Sequence, residues 1–345
     1  MFSVEQIHEA LKDVKYPGFS RDIVSFGLVK DVRISGADVE VIIAIATGDR
    51  KIPEAIYEAA MLRLRALAGV GNVAVKIDVQ APPAAPAAAT GPQGIPGVRH
   101  ILAIASGKGG VGKSTVAANL AVTLRRTGAR VGLCDCDIYG PSIALMFGSN
   151  ERPTADDENR IIPIERYGVR LMSMGFLLDD DSPAVLRGPM VTRYTQQFLR
   201  QVAWGELDYL LLDLPPGTGD IQLTIVQTVA LSGTIIVTTP QEVALIDARK
   251  ASRMFAKTNV PIVGIIENMS FFQCPGDGVQ YDLFGRGGGA REAQRLGVPL
   301  LGEIPIEVAL REGGDIGRPV AEFSPDTISG TAFAQIAGRI VNQFK

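Results

Sequence analysis

Histidine, cysteine and tryptophan are scarce in this 345-residue chain, which has two His, three Cys and one Trp. The two histidines, His8 and His100, are isolated and share no cluster with metal-ligand spacing, so a histidine-built metal centre is excluded and both read as structural or exposed. An odd number of cysteines, behind an N-terminus (MFSVEQIHEALKD) without a basic-then-apolar leader, excludes a disulfide framework and predicts reduced thiols. No apolar run approaches the roughly 18 residues needed to span a bilayer. Thirty-four basic against 37 acidic residues leave a net charge of -3 with no long block of one sign, and hence no electrostatic footprint for nucleic acid. A soluble cytoplasmic protein with no nucleic-acid and no membrane partner is expected. With 46% hydrophobic and 21% charged residues, disorder is excluded for most of the chain.

What is abundant is order of a particular kind. The segment 81–97, APPAAPAAATGPQGIPG, carries neither helical nor strand periodicity and reads as an extended linker. Before it, residues 1–80 show a helix from Val4 to Val14, strands from Gly27 to Ile34 and Val39 to Ala46, a helix from Pro53 to Ala68 and a strand from Val73 to Val79, a small α/β domain. After it, residues 98–345 alternate apolar strands with helical stretches. The strands run Ile101–Ala105, Val131–Asp135, Tyr209–Asp213, Thr234–Thr239 and Ile262–Glu267. They are apolar throughout instead of alternating, which predicts burial on both faces: a doubly wound, mainly parallel sheet of the α/β class, with its ligand site in the loops after the strands.

The loop after the first of these strands holds Gly107, Lys108, Gly109, Gly110, Val111, Gly112, Lys113, Ser114 and Thr115, and runs straight into a helix. This fits G-x-x-x-x-G-K-[ST] in its confirming strand–loop–helix context, a P-loop. The glycines let backbone N–H groups converge on phosphate oxygens and the helix N-terminus adds a positive end. Lys113 neutralises the β and γ phosphates and Ser114 offers a hydroxyl to Mg²⁺.

The string KGGVGKST resembles the deviant P-loop of the ATPase group that includes MinD, ParA and the nitrogenase iron protein. The resemblance implies ATP as nucleotide, a sandwich homodimer, and Lys108 reaching in trans to the partner's phosphates, as an arginine finger does. It gives Asp137, in the string DCDIYGPS, the switch role of orienting the attacking water, and leaves Asp135 as a lesser candidate near the metal. It makes Asp213, at the end of LLLD, the Mg²⁺ aspartate ahead of the switch loop LPPGTGD; taken alone, an acid there is equally a helix cap. It places Asn268 on the nucleotide base and Pro305 against the adenine. The catalytic set so implied is Lys108, Lys113, Asp137 and Asp213.

DCDIYGPS, LRGPM (Leu186–Met190), LLLDLPPGTGD and IENMSFFQCP (Ile266–Pro275) are similar to the Mrp branch, the ApbC-like iron–sulfur cluster carriers, across residues 98–343. DIVSFGLV and LAGVGNVAVKI resemble the small iron–sulfur-assembly domain often fused ahead of it. The resemblance implies a slow, Mg²⁺-dependent ATPase carrying an iron–sulfur cluster between subunits, with assembly factors and apoproteins as partners. This chain departs from the pattern in two places. The expected C-x-x-C after ENMS is Cys274, Pro275, Gly276, Asp277, and Ile52 precedes Pro53 where a cysteine is usual. Cys274 is therefore either a cluster ligand assisted by Asp277 or an outside thiol, or a loop thiol with no metal. Cys134 and Cys136 read as core, and Asp179–Asp181 as a solvated loop. A regulatory interaction protein that no longer binds a cluster is the alternative. A positioning ATPase is disfavoured by a final helix carrying only Arg339 and Lys345.

Overall fold

The computed structural model describes residues 3–17, 22–47, 51–80, 91–158, 160–176 and 188–345; most of the linker and the acid run Asp179–Asp181 lie outside them. The chain divides into two compact units, the first ending before Gly91.

In the first unit Ser3 caps α1 (Val4–Leu11): its side chain accepts from the Gln6 N–H while Gln6 Oε1 accepts from the Ser3 N–H, the reciprocal arrangement that starts a helix sharply. Then come β1 (Val29–Ser35), β2 (Asp38–Ala46), α2 (Lys51–Arg65) and β3 (Val73–Gln80). β1 pairs antiparallel and β3 parallel to the central β2. Ile7 and Leu11 of α1 and Ile56 and Leu64 of α2 bury against Ile43 and Ile45 of β2, the one-faced packing that alternating strands require.

The second unit opens with β4 (Val98–Ala105), α3 (Lys113–Arg126), β5 (Val131–Asp135) and α4 (Ile143–Met146). There follow β6 (Ile164–Arg166), β7 (Val169–Met172), α5 (Gly188–Gln201), β8 (Leu207–Asp213), α6 (Asp220–Thr228), β9 (Gly233–Thr238) and α7 (Glu242–Lys257). The rest is β10 (Ile262–Glu267), the short β11 (Phe272–Gln273) and β12 (Gln280–Tyr281), α8 (Gly288–Leu296), β13 (Leu300–Glu303), α9 (Val308–Asp315), α10 (Val320–Phe323) and α11 (Ile328–Gln343). Eight strands form one sheet in the order β13-β10-β9-β4-β8-β5-β7-β6, every neighbour parallel except the edge pair β6–β7. The predicted parallel, two-sided sheet is present, and β5 and β9 are buried along their whole length.

α3 is buried over most of its length because it lies between the sheet and α10 and α11; Leu120 and Leu124 meet Leu133, Phe333 and Ile336 in that layer. The other face holds Trp204, the largest fully buried side chain, which packs against Gly132 where a Cβ would collide with its ring. β4, β5 and β8 end side by side, so the loops that follow them converge at the carboxyl edge of the sheet.

Candidate functional site

The loop between β4 and α3 turns on Gly110 (φ +80°) and Gly112 (φ +77°), left-handed conformations that a side chain would strain. Gly107 has no room for a Cβ, which would fall on the backbone of Asp247 in α7. Gly112 is the N-cap of α3 and supplies no side-chain cap, so the first N–H groups of a helix end remain for a ligand. Three backbone hydrogen bonds tie together the ends of β4, β5 and β8 and the loops that follow them. Gly217 N–H donates to the Ser106 carbonyl (2.9 Å), Leu214 N–H to Ile104 (3.0 Å) and Cys136 N–H to Asp213 (2.9 Å). Beside them lies a cavity of about 230 Å³ lined by Ser106 and the loop from Lys108 to Thr115 together with Asp137, Ser142, Met146 and Pro216.

At its floor Lys113, 6% exposed, places Nζ 2.5 Å from Oδ1 of the fully buried Asp213 and 3.4 Å from Ser114 Oγ. Asp213 Oδ2 is buried with no partner. A buried carboxylate oxygen left unpaired beside a hydroxyl is a hard-oxygen set of the kind Mg²⁺ takes with its waters, so Ser114 and Asp213 fit the expected ion. Burial pushes the Asp213 carboxyl up, against the pull of Lys113.

Asp135 faces Asp213 across the β5–β8 pair and is raised to about 7, by burial first and by Asp213 second. Its carboxylate does not point at a ligand. Oδ1 accepts from the Asp137 N–H (3.0 Å), while Oδ2 accepts from Ser142 N–H (3.0 Å), Ile143 N–H (3.2 Å) and Ser173 Oγ (3.0 Å). Asp135 thus folds the loop that presents Asp137 to the cavity. Gln222, 1% exposed, donates Nε2 to the Pro215 carbonyl (2.6 Å) and holds the loop after β8, with its Oε1 buried and unpaired. No spacing pattern singles out Ser173; Gln222, a polar residue on an apolar helix face just after GTGD, was the signal available for the other.

Of the remaining predicted residues, Lys108 and Asn268 adjoin the cavity and Cys274 stands apart from its lining. Lys108 is exposed on the loop. Asn268, 3% exposed, donates Nδ2 to the Val111 carbonyl (2.8 Å), bracing the P-loop. Pro305 is buried in the turn after β13, where the flanking Ile304 and Ile306 N–H groups donate to Glu267 and Phe271. Cys274 is half-buried at the β11–β12 hairpin, its N–H donating to Val279 (3.0 Å). Asp277 accepts from Val279 N–H (2.8 Å) and Tyr281 Oη (3.2 Å), and these bonds, with one from the Cys274 thiol, hold its carboxyl low. Among the described residues no three His, Cys, Asp or Glu side chains converge as a metal site. Cys134 and Cys136 are buried with sulfurs 3.9 Å apart, in the core as read. His100 packs on Tyr209 and Phe344, ring centroids 5.5 and 4.8 Å away. No helix among the described residues is long and apolar enough to cross a membrane.

Comparison with known proteins places these features. Residues 97–341 match the family described as NUBPL iron-transfer P-loop NTPase, and residues 4–77 match the family of iron–sulfur cluster assembly proteins. The chain is 45% identical over 335 residues to a Deinococcus radiodurans protein named iron-sulfur cluster carrier protein, covering 97% of this chain and 93% of that one. Among solved structures, a nucleotide-binding protein of Archaeoglobus fulgidus in complex with ADP is 41% identical, with a TM-score of 0.59 over 66% of this chain and 90% of its own. The Pyrococcus furiosus cell division ATPase MinD, at 24% identity and a TM-score of 0.56 over 71% of this chain and 99% of its own, shares the fold.

Proposed function

Because the chain belongs to the NUBPL-type iron-transfer P-loop NTPases, we propose that it is an ATP-switched iron–sulfur cluster carrier acting as a cytoplasmic homodimer, with assembly factors and apoproteins as partners. Residues 98–345 form its ATPase domain, and residues 1–80, joined by the 81–97 linker, its domain for those partners. The observation that carries the nucleotide half is the buried Lys113–Asp213 pair beneath an uncapped glycine loop, with Asp213 Oδ2 left unpaired.

Lys113 exchanges Asp213 Oδ1 for the β and γ phosphate oxygens, and the loop N–H groups take the rest of the phosphate charge. Ser114 and Asp213 hold Mg²⁺, which when bound neutralises charge on the phosphoryl group in transfer. Asp137, held over the cavity by Asp135, orients the water, and Lys108 reaches the nucleotide of a second subunit. Asn268 and Pro305 stand on the base side. Hydrolysis is slow, as suits a switch. The cluster is cargo: Cys274 offers one thiolate from each subunit, with Asp277 or an outside thiol completing the shell.

Anaerobic reconstitution with iron and sulfide tests the cargo, comparing the native chain with Cys274→Ala. A stoichiometric cluster per dimer that the variant loses supports carriage. Absence of a cluster in both leaves the second reading, a nucleotide-switched interaction protein, favoured by Asp277 standing where a second thiol is expected.

A further inference from the structure

Two residues outside the phosphate site tie it physically to the hairpin that bears Cys274. Asn268 Nδ2 donates to the Val111 carbonyl at 2.8 Å. That carbonyl and the Gly112 N–H belong to one planar peptide unit, so turning the N–H onto a phosphate oxygen rotates the oxygen that Asn268 holds. The backbone on either side cannot absorb the rotation freely: Asn268 N–H is bonded to Thr238 (2.8 Å) and Ser270 N–H to Ile304 (2.9 Å). Between them stands Met269 at φ +54°, a left-handed conformation that L side chains rarely adopt. Its methyl lies against Gly112, 3.6 Å from where a Cβ would stand. Beyond Ser270 the chain is rigidly paired: Ile306 N–H donates to Phe271 (2.7 Å), Phe272 faces Tyr281 and Gln273 faces Gln280. Cys274 follows directly, and its N–H is bonded to Val279.

We infer that Asn268 and Met269 are positioning residues forming a relay through which nucleotide on the P-loop changes the exposure of the Cys274 hairpin, with Met269 as the bistable joint. The relay needs only nucleotide binding, so it stands whether or not Cys274 carries a cluster. Because Cys134 and Cys136 are buried, the thiol reagent iodoacetamide reads Cys274 on the intact chain, and Cys274→Ala controls for the others.

The experiment measures the alkylation rate in full-length protein with no nucleotide, with Mg-ADP and with a Mg-bound non-hydrolysable ATP analogue. Saturation is established for each variant with a fluorescent nucleotide. The native chain should show a rate change of about fivefold or more, the low end of site-to-site coupling. Asn268→Ala, which drops the Val111 contact, and Met269→Gly, which removes the left-handed penalty while keeping Asn268, should each abolish the response at saturating nucleotide. A loss of fold would instead alter the rate without nucleotide and the far-ultraviolet circular dichroism. No nucleotide response in the native chain, or a native response in either variant, overturns the relay.

Discussion

Replacing Lys113 by Met in nucleotide-free protein leaves Asp213 fully buried with neither oxygen paired to a cation. Breaking a buried ion pair from one side costs about 3–5 kcal/mol, because the charge that stays has lost its cation. For a unit of this size each kcal/mol moves the melting temperature by about 2–4 °C, so the single variant should melt roughly 6–20 °C below the native chain. The double variant Lys113→Met with Asp213→Asn has no charge left at this pair and should recover most of that loss. The coupling between the two changes, read from a double-mutant cycle by calorimetry, should be about 2 kcal/mol or more. Acidification should soften the single variant's defect, since burial raises the Asp213 pKa and protonation removes the uncompensated charge. A Lys113→Met melting temperature within about 2 °C of native, or a double variant that melts at the sum of the two single losses, would refute the reasoning.

Asp135 binds its proton more tightly folded, at about 7, than unfolded, near 3.8, so between those values the unfolded chain ionises while the folded one keeps the proton, and stability falls as pH rises. Relative to Asp135→Asn, the native chain should lose stability in denaturant melts taken stepwise from pH 4.5 to 7, by at most ~1.4 kcal/mol per pH unit; a gap that stays flat across that range contradicts the assignment. Gln222→Leu exchanges one hydrogen bond to the Pro215 carbonyl for relief of an unpaired buried Oε1, so stability should change by no more than ~1 kcal/mol. The loop it holds should open nonetheless: hydrogen exchange at residues 214–219 should accelerate, and unchanged protection would remove Gln222 from the switch.

The central strands were legible in the sequence because both their faces are buried. Val131–Asp135 coincides with β5 and Ile262–Glu267 with β10. β6, β7 and β13 were not picked out, being only three or four residues long, too short for any period to show. The P-loop was visible because its glycines and lysine are local, within a single turn of chain. What joins it to the rest is not local. Ser173 reaches Asp135 across 38 residues, Asn268 reaches Val111 across 157, and Lys113 reaches Asp213 across 100. Each residue was conspicuous or not by type, but the pairings come from the order in which the sheet lays its strands side by side. Asp135 shows the difference most clearly: its motif suggested the metal's surroundings, while the fold spends its carboxylate on backbone N–H groups of the next loop.

Trp204 is the only indole in the chain, and it sits 1% exposed in the second unit with its Nε1 unpaired. Its fluorescence is therefore that of a dry, apolar environment, and a red shift on heating or in denaturant records the moment water reaches the layer beneath β5 and β8. The first unit contributes no such emission. The chain thus carries, without labelling, an optical marker confined to the half that holds the nucleotide loop, whereas a backbone signal sums both units.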